Sequence, residues 1–476
     1  MFLPNRSLAA FAPRPLGHWL FQITAGAFAG LLCAYAVVSP DGRLLKLLYL
    51  LIALSLAVFL TPQLFIPASL LVFAVSTATS SPVLPSLPFA VYVSDFMVLL
   101  IAVRGALPRD RVPSNRALAG APSRLFAVWA VVMAIAAALG MNAGVNLDST
   151  IRGEQALLYW PLLYFGFTRV LRERGLKASL LWRNLAYVAL GLAAWMFLAR
   201  ALNHPFDDPG LGRVGTGEGQ AVNRNFGFAA AFVVYPLLAL VGIAGMAHGG
   251  GHRSRWAVLA LVGTVATLLT LVRGEIFALA LGALLILWLR PRNVGHSARA
   301  RTAVQLGLAI VTAVVGLIAV SPDLGNAIVQ RALPITQQAR SAKATAEYRQ
   351  KAVDTGFRVA LAHPIGLGVL DTARLDAHQI DRGYLAHSGV ATLLLFGGWP
   401  ALISALLVIL ALLWRSARLA TATPWLHPAF VGVLAMLSIY SVGAAGLAGD
   451  AWVIPLGVLA VALRFTVPPS QEPAQA

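Results

Sequence analysis

EYRQKAVDTGFRVALAHPIGLGVLDTARLDAHQIDRGYLAHSGVATLLLFGGWP, residues 347–400, decides how the rest of the chain reads. It opens polar and basic and closes as a long apolar run, with His387 at the change of character. Lys343 to Ala362 suit a helix. Val353, Phe357 and Ala360 recur near 3–4 spacing, which predicts an apolar face with Arg349 on the polar side. His363-Pro364 should end that helix, and Gly366-x-Gly368 should continue as a turn. The apolar run that follows is long enough to cross a membrane, since about 20 helical residues span roughly 30 Å of hydrocarbon.

The same kind of run recurs along the chain. Hydrophobic residues make up 59% of the 476 positions and charged residues 11%, too little charge for a soluble chain of this length. The expected spans are 19–38, 44–60, 63–79, 90–103, 125–140, 154–170, 184–200, 224–246, 257–272, 275–290, 303–320, 388–413, 428–446 and 451–467. The expectation is therefore all-α: one integral membrane domain over 1–476 with about 14 transmembrane helices (12–14). One long extracytoplasmic loop, 321–386, would carry one or two short amphipathic helices lying on the membrane surface. Ala34-Tyr35-Ala36 resembles a signal-peptide cleavage site, but the apolar stretch before it has the length of a full span and is read as an uncleaved helix. Cys33 is the single cysteine, so no intramolecular disulfide can form.

With both termini in the cytoplasm and the spans alternating, the whole formal excess of +18 falls on the inner side, as the positive-inside rule expects. The inner clusters are Arg104–Arg124, Arg169–Arg183, Arg253–Arg255 and Arg290–Arg301. Scattered among short loops, these cations match anionic lipid headgroups and exclude nucleic acid as a partner.

Topology disfavours arginines on the outer side, so those that fall there need another reason. They occur in 141–153, with Asp148 and Arg152 beside Glu154, and in 201–224, a flexible loop with Asp207-Asp208, Arg213 and Arg224. The long loop adds Arg349, Arg358, Arg374 and Arg382, with Tyr384 close by. Arg273-Gly274-Glu275 separates two apolar runs. Either the two charges pair in a tight turn, or Arg273 points into a polar pocket and binds an anion. The guanidinium fork matches two oxygens of a diphosphate. His387, at the first turn of a span, should be a neutral imidazole able to orient or deprotonate a hydroxyl. No metal constellation is read. His363, His378 and His387 lack helical two-histidine spacing, and Asp207-Asp208 beside Pro209-Gly210 reads as a solvated turn. Asp95, after Ser94, reads as a helix cap or a cavity residue.

Three stretches resemble the O-antigen ligase and O-antigen polymerase superfamily. LTLVRGEIFALALGALLILWL is similar to its Ser-Arg-Gly helix, with Val272 in the serine position. Arg349 with Phe357-Arg358 and AHPIGLGV resembles its Arg…Trp…Pro-x-x-Gly-x-Gly stretch, and YLAHSGVATLLLFGGWPALISALLVIL resembles its histidine helix, with Ser388 for the common Asn. The resemblance covers 261–413. It implies a metal-independent, GT-C-like glycosyltransferase of the bacterial cell envelope, in the inner (plasma) membrane, with its active site on the periplasmic or extracellular side. The donor would be an undecaprenyl-diphosphate-linked oligosaccharide. The acceptor would be a glycan or the lipid A core, in polysaccharide or lipopolysaccharide biosynthesis, with no cofactor. It assigns catalysis to His387, Arg273 and Arg349. Arg358, Arg382, Tyr384, Arg224 and Arg152 are candidate substrate contacts. A lipid-linked oligosaccharide flippase or other transporter is the alternative, although no repeated halves are visible.

Overall fold

The computed structural model describes residues 60–76, 93–107, 116–173, 213–215, 221–223, 231–248, 253–270, 273–289, 336–381, 384–385, 388–419 and 425–443, with isolated positions within 176–197 and at 307, 308 and 315. The described elements are helices α1 (Pro62–Ser76), α2 (Val93–Ala106), α3 (Arg116–Asn142), α4 (Leu147–Val170), α5 (Ala231–His248), α6 (Arg253–Leu269), α7 (Arg273–Trp288), α8 (Thr336–Ala362), α9 (Thr372–Ala377), α10 (Gly389–Leu419) and α11 (Leu426–Gly443). A small antiparallel ribbon joins them, β1 (Arg213–Gly215) with β2 (Ala221–Asn223), paired Arg213 to Asn223 and Gly215 to Ala221. The ribbon lies within the segment expected to be a flexible loop.

Helices α1 to α7, α10 and α11 each overlap an expected span, from 63–79 through 428–446, although α3 begins at 116 rather than 125, α4 at 147 rather than 154, and α10 runs on to 419 rather than 413. The spans expected at 184–200 and 303–320 are described only at isolated positions. The spans expected at 19–38, 44–60 and 451–467 lie outside the described residues. Among the described residues, two stretches are long and apolar enough to cross a membrane, Pro122–Asn142 with 21 residues and Gly389–Trp414 with 26. Large apolar side chains also point away from the bundle. Val131 is 59% exposed, Phe277 66% and Leu284 64%, a surface that hydrocarbon would cover far more readily than water.

Helices α3 and α4 form a hairpin. Gly144 turns at φ +92°, and Asn146 caps α4 by accepting a 2.8 Å bond from the Ser149 N–H. Pro161 inside α4 has no N–H to offer the carbonyl of Leu157 one turn earlier. Trp129 Nε1 of α3 donates to that carbonyl at 2.9 Å, and its ring stacks on Trp160 at 5.6 Å. α2 packs on α4 where Gly105 meets Gly166 backbone to backbone. At that end Arg104 donates two bonds to the carboxylate of Glu173, at 3.2 and 2.9 Å, and lies over the Phe65 ring at 4.3 Å. Arg104 was counted above among the inner-loop cations, yet it is buried with its carboxylate partner. α5 and α6 run antiparallel and close, because Gly242, Gly245 and Gly263 put no side chain between them. α11 meets α7 in the same way, Gly432 against Gly282.

Candidate active site

The loop helix is longer than expected and rotated from its expected face. α8 starts at Thr336, seven residues before Lys343, and has 27 residues rather than forming a short helix. Ala352, Thr355, Gly356 and Ala360 are buried, whereas Phe357 is 36% and Leu361 73% exposed. The bulky apolar residues were expected to choose the packing face, but glycine chooses it. A Cβ on Gly356 would come within 3.0 Å of the Ala391 Cα and 3.4 Å of Leu394 in α10, so this face admits the closest approach. Phe357 instead lies beside Trp399, ring centroids 5.7 Å apart.

The rotation also moves Arg349. It lies two turns before Gly356 on the same stripe, half-buried, with its Nε fully enclosed. It therefore does not sit on a solvated face, where the apolar periodicity had put it. α8 and α10 run parallel, since Gly356 is level with Ala391 while Pro364 is level with Trp399. Two turns back along both chains, Tyr348 stands edge-on to Tyr384, with centroids 5.1 Å apart at 62°. Tyr348 also hydrogen-bonds Asp381. Partial burial, that bond and the Asp381 charge push its phenol up to about 12. The start of the stripe thus meets the segment that leads into residue 387.

The far end of α8 is tied to α10 through backbone. α8 stops at Ala362, and the His363 N–H closes its last turn onto Val359 at 2.7 Å. α10 breaks at Gly398, where φ is +59° and ψ −150°, a conformation essentially restricted to glycine. Pro400 cannot bond to Phe396, and the Trp399 N–H turns to the Pro364 carbonyl at 3.0 Å. The carbonyls of Leu395 and Phe396, left open by the break, accept from Leu367 and Gly368 at 2.8 and 3.0 Å. Gly366 (φ +77°) and Gly368 (φ +79°) provide the turn, and the Val369 N–H reaches the Ala136 carbonyl of α3 at 3.2 Å. Val369 lies between Gly140 of α3 and Gly153 of α4. The turn expected at Gly366-x-Gly368 is present, buried as a wedge between two helices rather than lying on a surface.

The other predicted residues are distributed as follows. Arg358 is exposed on the side of α8 opposite Arg349, with Nη2 3.1 Å from Thr355 Oγ1. Arg374 lies in α9, which Asp371 caps by accepting from the Arg374 N–H at 2.9 Å; its Nη1 donates to the Leu367 carbonyl at 3.3 Å. Arg273 is the first residue of α7 and Arg152 lies in the first half of α4, adjacent to Gly153 and hence to the wedge. The side chains of Arg273 and Arg152, and all of Arg224, Arg382 and His387, lie outside the described residues.

Glu275 is fully buried in the first turn of α7, where the helix dipole favours a negative charge. Its Oε2 accepts from Thr270 Oγ1 at 2.8 Å, bridging the end of α6 to the start of α7. Thr270 Oγ1 is also 2.7 Å from the Thr267 carbonyl. With Thr264 and Thr267, both buried, this makes a polar patch inside the bundle, one turn from the residue expected to hold an anion. Among the described residues no group of His, Cys, Asp and Glu could hold a metal ion.

Tyr348, Asp381 and Gly356 were not singled out from the sequence. Gly356 had a legible signal, because a glycine inside a helix costs about 0.5–1 kcal/mol relative to alanine and needs a packing reason. Tyr348 and Asp381 had none, since their meeting depends on the register between α8 and α10.

No protein-family model matches the sequence, and no curated protein matches it.

Proposed function

We propose that the chain is a multi-pass glycosyltransferase of the bacterial inner membrane. It transfers a glycan from undecaprenyl diphosphate to an acceptor glycan or the lipid A core at the outer face, as an O-antigen or exopolysaccharide polymerase or an O-antigen ligase. The observation that carries this reading is the parallel seam of α8 on α10, which brings Arg349 level with Tyr384, three residues before His387. Helix directions are compatible with about fourteen alternating spans. α3 and α4 are antiparallel, α5 and α6 are antiparallel, and α2 and α4, two spans apart, meet at their C-terminal ends.

Departure of the glycan from its carrier leaves negative charge on the diphosphate while the anomeric carbon becomes cationic. Arg349 and Arg273 stabilise that charge more in the transition state than in the ground state. His387, as a neutral imidazole, orients the acceptor hydroxyl and takes its proton while the new bond forms. The step is a direct displacement without a covalent enzyme intermediate, and it inverts the anomeric carbon.

Transfer assayed in proteoliposomes with carrier-linked donor and acceptor on one side tests the proposal. Arg349→Ala, Arg273→Ala and His387→Ala should each lower the rate by about 10²–10³. Arg358→Ala, on the opposite face of α8, should stay within a few-fold of wild type. A His387→Ala protein that inserts normally and keeps most of its activity sinks the assignment. A flippase would relocate donor across the bilayer without elongating any acceptor.

A further inference from the structure

We infer that Tyr348, Asp381 and Tyr384 form a subsite for one sugar ring of the acceptor, an inference that rests on the glycosyltransferase reading above. A pyranose ring has two chemically distinct surfaces. Its axial C–H bonds make an apolar, slightly electropositive face, while its rim carries hydroxyls. The first is complementary to the negative face of an aromatic ring and the second to a carboxylate, which accepts several hydroxyl bonds. Both complements occur together at the start of the α8–α10 seam.

Tyr348 and Tyr384 meet edge to face rather than stacked, at 5.1 Å and 62°. In that arrangement the ring that contributes its edge keeps both faces clear of its partner. Both tyrosines are half-buried, which anchors the rings without enclosing them, and Tyr384 packs against the core. Asp381 is exposed, and its carboxylate takes the Tyr348 hydroxyl bond. That bond aligns the carboxylate beside the ring, and a carboxylate retains lone pairs for further donors. With its phenol pushed up to about 12, Tyr348 keeps this proton at any physiological pH.

Position gives the cluster its role. Arg349 adjoins Tyr348 in α8, and Tyr384 precedes His387 by three residues. A ring held here adjoins, along the sequence, both the cation proposed to hold the leaving diphosphate and the histidine proposed to prepare the attacking hydroxyl. The carrier's lipid and diphosphate offer no C–H ring face, and the diphosphate would be repelled by Asp381, so a sugar ring fits and the carrier does not; separate donor and acceptor KM values decide which glycan supplies the ring.

The test uses full-length protein in proteoliposomes, donor extracted from the producing cells, and as acceptor a labelled oligosaccharide released from the same cells' surface polysaccharide. Asp381→Asn and Tyr384→Leu should raise the acceptor KM about tenfold or more while donor KM and thermal stability stay near wild type. Tyr348→Phe, which keeps the ring and loses the alignment, should raise it less. An unchanged acceptor KM in Asp381→Asn with transfer intact overturns the subsite alone. So does a rise that tracks a fall in melting temperature across all three variants. Wild-type protein that transfers no glycan overturns the glycosyltransferase reading, and the subsite with it.

Discussion

Pro161 in α4 and Pro400 in α10 do the same thing to their helices with opposite results. Each lacks the N–H that would close a bond to the residue four positions earlier, so Leu157 and Phe396 each present an open carbonyl inside the protein. In α4 an indole from the neighbouring helix fills the socket, Trp129 Nε1 at 2.9 Å, and the helix continues. In α10 the backbone of a loop fills it, Gly368 at 3.0 Å. Gly398 also leaves the helical conformation, so Leu395 is opened too and taken by Leu367 at 2.8 Å. A proline-opened carbonyl is thus a docking point, and the filling group decides what it achieves. A side chain staples two helices, whereas a loop backbone fixes a whole segment in register with the helix it docks on. Only the second arrangement can carry Arg349 to a defined level along α10.

Changes at the second socket should have the largest effects. Gly398→Val sets a branched side chain at φ +59°, against the Pro364 carbonyl and the Gly366 N–H. It should cost more than about 3 kcal/mol and leave little folded protein in thermal unfolding of detergent-solubilised samples. A variant that melts like wild type would show that the break at Gly398 is not needed to seat the loop. Gly368→Ala, at φ +79° against Gly140 and Leu139, should cost about 1–3 kcal/mol and lower transfer activity more than stability, because it shifts the loop on α10.

At the first socket, Trp129→Phe leaves the Leu157 carbonyl without its donor and should cost about 1–3 kcal/mol. In a Pro161→Ala background, where the helix regains its own N–H, the same change should cost less. Additive costs would mean that the indole serves only as packing. The smallest effect is spectroscopic. Tyrosinate absorbance from Tyr348 should appear only as pH approaches about 12, and Asp381→Asn should bring it down towards the ordinary value of 10. The sign follows from a folded value raised above the unfolded one. The contribution is complete below pH 10 and is lost as pH rises towards 12.

The two sockets also mark how much the sequence reveals. Apolar runs located α1 to α7, α10 and α11 because each helix's hydrophobicity is a local property. The end of α8 at His363-Pro364 and the turn at Gly366 were legible for the same reason, since proline and glycine act on their own backbone. The face that α8 buries was not legible. Periodicity ranked Phe357 above Gly356, but the seam is set by how near Ala391 can approach, which only the partner helix determines. Arg349 was consequently assigned to the wrong side of its own helix while its candidacy came from resemblance. Glu275 was read either as the partner of Arg273 in a tight turn or as the neighbour of an anion-binding Arg273, and neither reading foresaw its bond to Thr270, five residues back. Glu275→Ala should slow transfer and lower stability together, because both the junction of α6 with α7 and the position of Arg273 depend on it. Measuring rate and melting temperature on the same preparation checks this.

The seat of Val369 has a consequence for how the protein can be made and remodelled. Its walls, Gly140 and Gly153, belong to a hairpin that leaves the ribosome long before Val369 does. The cleft must wait, unfilled, until the later segment is made. Nor can the segment that docks on α10 be exchanged between proteins as a cassette. A chimera joined anywhere between Pro364 and Trp399 would separate N–H donors from the carbonyls they meet, so any swap of this segment needs to carry the broken helix along with its loop.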